Sequence, residues 1–223
     1  MVHSRRIEHE GRERTLRFGH AGVLYKKSFV MYDRETGSKW NHSTGLCMKG
    51  PLVGTQLELL PTRVTLWERW KSQYPETRVL LGHRSKGMIG QFMREAPHAY
   101  GIAVGFGPKS RLYRYRALRE EPVLNDAFEG RTDVIVFDPT ASIAFAFDRR
   151  VDDRKLHFEV TDAEDGQALR MQDRETGSVW DRMRGGCLSG PLKGRSLRQV
   201  ISVPWLVERW RQIYGEAGSL YGG

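Results

Sequence analysis

The eight residues DRETGSKW at 33–40 return as DRETGSVW at 173–180, 140 positions later. An exact offset constrains a fold more than any composition can, because it requires the same local structure to be built twice. The match extends without a gap from Met31–Tyr74 to Met171–Tyr214. It carries GPL at 50–52 and 190–192, Gly54 with Gly194, Cys47 with Cys187, and ERW at 68–70 and 208–210. Leu16 and Phe18 keep the offset with Leu156 and Phe158. RRI at 5–7 meets RRV at 149–151 once four residues of turn are allowed.

The second copy also owns Gly101 to Asp148, which the first lacks, so the chain is expected to begin partway through a repeat. GIAVGF, RLYRYRAL, DVIVFD and ASIAFAF read as strands there, the last alternating Ile143, Phe145 and Phe147 with small residues at the two-residue period of a pleated strand. NDAFEGR reads as a turn between two of them. The expected organisation is a first repeat at 1–81, a connection at 82–100 and a complete second repeat at 101–223.

Within the repeat, FVMYDRETGSKW has the grammar of a β-hairpin: an Asp that bonds backbone at the turn and a Gly that supplies positive φ. GPLVGTQLELLP reads as a following strand. TLWERWKSQYP puts Trp67, Trp70 and Tyr74 on one helical face ended by Pro75, and PWLVERWRQIYG repeats the pattern. The fold class is therefore α+β, mainly β: two homologous β-rich repeats, each with one amphipathic helix after its strands, packed by its aromatic stripe on the sheet.

Composition excludes several functions. Hydrophobic residues make up 39% and charged residues 28% of the 223, and no apolar run approaches the roughly 18 residues of a membrane-spanning helix. The N-terminal MVHSRRIEHEGRERTL lacks the apolar segment of a secretory signal, so the chain as written is expected to stay in the cytoplasm. A net charge of +9 invites a nucleic-acid partner, but basic residues alternate with acids, as in RRIEHEGRER and RALREE, and no like-charge block forms. A mixed-charge solvated surface is the expectation.

The combination of VMYDRETGS-W, G-C-x-x-GPL-GTxLE-LP and W-x-x-W-x-x-x-YPET-VL resembles the bacterial family catalogued as domain of unknown function 3179, over essentially the whole chain. The resemblance implies two related β-rich halves, often exported, and no particular activity. It also implies a Cys-Pro-x-Cys segment ahead of the Asp-Arg-Arg that opens the repeat. Here that segment is Asp138-Pro139-Thr140-Ala141, without thiols.

Chemistry-bearing residues are sparse. Cys47 and Cys187 occupy one repeat position and read as buried structural thiols, with a disulfide across the pseudo-symmetry axis or a metal site as the alternatives. His42 stands near Cys47, but its counterpart is Arg182, and no H-x-x-x-H or CxxC spacing occurs, so neither metal nor cofactor is expected. Asp33 with Glu35, and Asp173 with Glu175, could serve as acid–base pairs, yet a turn Asp bonding backbone and a Glu pairing with a neighbouring Arg account for both copies. No nucleophile elbow or phosphate loop is present, and no catalytic residues are assigned.

A binding site, if built on the hairpin, falls in the first copy. His20, Tyr25, Lys26 and Lys27 lie beside Asp33, Glu35 and Trp40, a polar and partly aromatic patch suited to a small anionic or carbohydrate-like ligand. The chain is thus read as a non-catalytic binding or structural module. The alternative is a hydrolase or thiol- or metal-dependent enzyme whose key residues lie in a missing N-terminal segment.

Overall fold

Glu10-Gly11 and Lys26-Lys27 both place two consecutive residues at positive φ, the geometry whose twist joins adjacent antiparallel strands tightly. The computed structural model describes residues 1–79, 96–105, 107–161, 169–215 and 218–221. Most of the expected connection at 82–100 and the second copy's DAEDGQA at 162–168 lie outside the described residues, as does Phe106 of the GFG at 105–107. By contacts the chain divides into one unit of Met1–Thr62 with Gln212–Tyr214 and another of Arg63–Arg211 with Gly215–Gly223.

In the first unit, β1 (Arg6–His9) and β2 (Arg12–Thr15) form a two-stranded ribbon. β3 (Phe18–Tyr25), β4 (Ser28–Asp33), β5 (Lys39–Asn41) and β6 (Cys47–Lys49) follow as an antiparallel meander. Ile7, Leu16, Trp40, Cys47, Leu52 and Leu57 form its core, with the Phe18 ring edge-on to Trp40 at 5.7 Å. Burying each large side chain stabilises by about 1.5–3 kcal/mol.

GPLVGTQLELLP, expected as a strand, is a turn followed by two isolated bridges, Leu46 to Gln56 and His3 to Leu59. Gly50 and Gly54, at φ 107° and 86°, curl the backbone so that Leu52 and Leu57 drop into the core instead of alternating along a strand. Between this turn and α1 (Trp67–Gln73), residues 62–66 form no strand.

The second unit repeats this plan and adds a buried layer. β7 (Tyr100–Val104) and β8 (Arg111–Arg114) lead into α2 (Tyr115–Glu120). β9 (Val123–Phe128), β10 (Arg131–Asp138) and β11 (Ile143–Asp148) form an antiparallel sheet ordered β11-β10-β9. The ribbon β12 (Arg150–Val151) and β13 (Arg154–Lys155) precedes a meander of β14 (Phe158–Thr161), β15 (Arg170–Asp173), β16 (Val179–Asp181) and β17 (Cys187–Ser189). β18 (Ser202–Leu206), α3 (Val207–Tyr214) and β19 (Ser219–Tyr221) complete it, giving a sheet ordered β18-β7-β8-β19 in which only β19 and β8 run parallel.

The β11-β10-β9 sheet is covered on both faces, which explains its nearly continuous apolar sequence. Val134, Val136, Phe145 and Phe147 join Phe158 and Trp180 in one core, while Ile135, Phe137, Ala144 and Ala146 join Ile102, Tyr113 and Tyr115 in another. The expected RLYRYRAL strand ends at Arg114 and becomes α2. Tyr115 and Leu118, three apart, then reach the second core together, with Tyr115 against Phe137 at 5.1 Å. Likewise NDAF belongs to β9, and Glu129-Gly130 alone makes the turn.

The helices that close the two copies differ in burial. Trp210 of α3 is 1% exposed, whereas Trp67 and Tyr74 at α1 are 51% and 45% exposed. Residues 202–206 pair with β7 and tie α3 down, while the matching 62–66 form no strand.

Candidate functional site

The repeated phrase closes a buried hydrogen-bond network. Asp33 Oδ1 accepts from the Thr36 backbone N–H at 2.6 Å and the Thr36 hydroxyl at 2.8 Å, and Oδ2 accepts from the Trp40 indole at 2.8 Å. Thr36 Oγ1 and Ser38 Oγ lie 2.6 Å apart, and Ser38 Oγ also accepts from the Leu52 N–H at 3.2 Å. Asp173, Thr176, Ser178, Trp180 and Leu192 repeat each contact within 0.1 Å. A buried carboxylate needs several donors to be tolerated, and this one has them without any ligand.

Glu35 sits outside the network. Its carboxylate accepts from Arg17 N and Arg17 Nε, both at 2.8 Å, and these bonds hold it below the usual carboxylate range. Glu175 accepts from the His157 N–H at the same distance. These contacts clamp the turn to the start of the meander in each unit and leave Asp33 and Glu35 facing different partners.

The six hairpin residues are spread over β3, β4, β5 and the two turns between them. Asp33 and Trp40 are buried, Glu35 is exposed, and His20 lies on β3 with its ring 5.2 Å from Phe29 and its Nδ1 accepting from Gly22 N at 2.9 Å. Tyr25 and Lys26 sit at the far tip, the ammonium 5.9 Å from the ring centroid. A six-residue strand separates that tip from Asp33, about 17 Å at extended spacing. Phe29 also stacks on His42 at 3.9 Å, and burial lowers the His42 pKa to about 4.

Cys47 and Cys187 are both buried free thiols, donating to Lys49 O at 3.6 Å and Ser189 O at 3.3 Å, and burial raises both pKa values. Among the described residues no three His, Cys, Asp or Glu side chains gather as a metal site. No helix among them is long and apolar enough to cross a membrane.

A cleft of about 390 Å³ opens in the second unit, lined by Asn125, Asp126, Arg149, Lys155, His157 and Glu175 among others. Its wall is built from β9, from the ribbon that Arg149 opens, and from the clamp residue Glu175. Asn125 fixes the geometry by donating to Phe158 O at 2.7 Å and accepting from Phe158 N at 2.9 Å. Asp126 is committed elsewhere, accepting from Arg111 at 2.8 Å and the Tyr113 hydroxyl at 2.6 Å.

Arg149 and Arg150 are adjacent and opposite in character. The Arg150 side chain is 60% exposed and forks onto Asp148, which also takes Arg198 at 2.7 Å. Arg149 is 6% exposed, yet its Nη groups meet only neutral acceptors: Leu156 O at 3.2 Å, Asp126 O at 3.3 Å and Asn125 Oδ1 at 3.5 Å. Its Nε has no partner. Burial lowers the Arg149 pKa, with the carboxylates of Asp126, Asp133, Glu175 and Asp148 acting the other way from beyond bonding distance. Sequence reading passed over Arg149. Its only trace was the recurrence of RRI as RRV, and Arg5, its counterpart, is exposed in a unit with no sheet like β11-β10-β9 among its described strands.

Duplicated β-rich repeats, each followed by a short helix, with a polar cleft in the second, define an α+β protein of internally repeated architecture. A family model described as Protein of unknown function (DUF3179) matches the chain over residues 1–101 and again over 97–220, and the chain belongs to that family. No curated protein and no solved structure matches it.

Proposed function

We propose that the chain is a non-catalytic binding module whose ligand, a small polar molecule, seats in the cleft of the second unit. The observation that carries this is the cleft itself: about 390 Å³, the size of a small-molecule site, walled by β9, Lys155 of β13 and the loop residues Arg149, Leu156, His157 and Glu175, with Asn125 and Asp126 held by fixed hydrogen bonds. The duplicated carboxylates support the non-catalytic side. Asp33 and Asp173 are occupied by Thr, Trp and backbone donors and have no proton-transfer partner in reach of solvent.

Calorimetry and thermal-shift titration against a panel of small polar metabolites test the reading, with each binder recovered and analysed by mass spectrometry. One binding site per chain and an unchanged ligand are expected. Conversion of a binder to product would replace the module with an enzyme.

A further inference from the structure

We infer that the cleft recognises the oxyanion of its ligand, a carboxylate or phosphate group, and that Arg149 is the anchor; this rests on the binding-module reading above. A guanidinium stays charged in proteins, and a buried charge is ordinarily paired. Arg149 is 94% buried yet, among the described residues, meets no carboxylate within 4 Å, and its Nε–H is unbonded. The nearby acids bond to other groups. Asp126 is held by Arg111 and Tyr113, Asp148 by Arg150 and Arg198, Asp133 by Arg131, and Glu175 by the His157 N–H.

Among the described residues no carboxylate pairs with Arg149, and the cleft beside it is where a counter-charge from a ligand would enter. An oxyanion entering the cleft would meet a guanidinium whose acceptors are all neutral, and a charge-assisted bond from Arg to carboxylate or phosphate is stronger than any of those. Lys155, exposed at the rim, adds a second positive charge, and the half-buried His157 can donate from its ring. The site belongs to the second unit alone, because Arg5 holds the same backbone bond, Leu16 N to Arg5 O at 2.9 Å, with its side chain in solvent.

The test titrates the full chain with inorganic phosphate, acetate and succinate by calorimetry, with chloride at matched ionic strength as the control. Variants are Arg149→Met, Lys155→Ala and Arg5→Ala. At least one oxyanion is expected to bind at one site, to weaken about tenfold or more in Arg149→Met, to weaken about threefold in Lys155→Ala, and to be unaffected in Arg5→Ala. If Arg149→Met does not fold, the Arg149 Nε–H resonance of the unmodified protein must move during the same titration, and a stationary resonance overturns the proposal. Unchanged oxyanion binding in Arg149→Met removes Arg149 as anchor but leaves the module standing. Binding of neutral ligands only, in the panel above, likewise removes the oxyanion and keeps the module. No binder of either kind removes both.

Discussion

The indole N–H of Trp40 meets Oδ2 of Asp33 at 2.8 Å with both side chains at 0% exposure, and Trp180 meets Asp173 at 2.9 Å in the same way. The pair ties the first residue of the turn to the strand that leaves it, and it forces a carboxylate into the core where only complete hydrogen bonding makes it tolerable.

Trp40→Phe and Trp180→Phe keep most of the ring and delete the donor. Each is expected to cost about 1–3 kcal/mol, the penalty for a buried acceptor losing a partner, while Trp40→Ala should cost about 3–5 kcal/mol through the cavity as well. Glu35→Ala, at an exposed clamp, should cost less than any of these. Urea denaturation of the four variants checks the order, and a Glu35→Ala loss equal to Trp40→Phe would contradict it.

Two glycines of one turn separate strain from crowding. A Cβ at Gly50 would lie 2.8 Å from Ser38 Cα, whereas one at Gly54 meets nothing within 4 Å, and both have positive φ. Gly54→Ala should therefore cost only the conformational penalty, about 1–2 kcal/mol. Gly50→Ala should cost more, because backbone must move. Thermal melts of both variants decide, and the same ranking is expected for Gly190→Ala over Gly194→Ala.

His42 supplies a pH dependence. Its folded pKa of about 4 lies below the 6.5 of a free histidine, chiefly through burial, so the unfolded chain takes up the proton first. The stability linked to His42 is full above about pH 6.5 and is lost as pH falls toward 4. His42→Phe should flatten stability over that window, measured as urea midpoints between those two pH values. An undiminished slope would show that another group carries it.

Asp148 acts lower on the scale. Burial alone would raise its pKa, but hydrogen bonds from Arg150 and Arg198 prevail and bring it to about 2, below the 3.8 of a free Asp. Its contribution is complete above about pH 4 and disappears as pH falls to 2. Asp148→Asn should abolish the part of the acid transition in that interval, followed by circular dichroism.

The hairpin, its backbone-bonding Asp and the family were legible in the sequence because their parts are close along the chain, whereas the Thr36, Ser38 and Trp40 contacts to that Asp were not foreseen. Asp33, Thr36, Ser38 and Trp40 span eight residues, and Leu52 closes the set fourteen residues after Ser38. Local hydrogen-bond chemistry dictates such a motif, so copying the letters copies the structure, down to distances that agree within 0.1 Å. Ile143, Phe145 and Phe147 alternating with alanines likewise announced a strand, although not that both of its faces would be covered.

What tertiary structure decided is what happens to residues whose letters are shared but whose neighbours are not. Tyr115 turns from strand to helix because the second core rewards a three-residue spacing. Residues 202–206 become β18 because β7 is beside them, while 62–66 remain coil. Arg5 and Arg149 accept the same backbone bond at 2.9 Å, yet one side chain is solvated and the other is enclosed by Asn125, Asp126 and Leu156. Solvation of a charge depends on every chain segment that excludes water from it. The second arginine's enclosure among neutral acceptors therefore arises only once β9, the ribbon and β14 have come together.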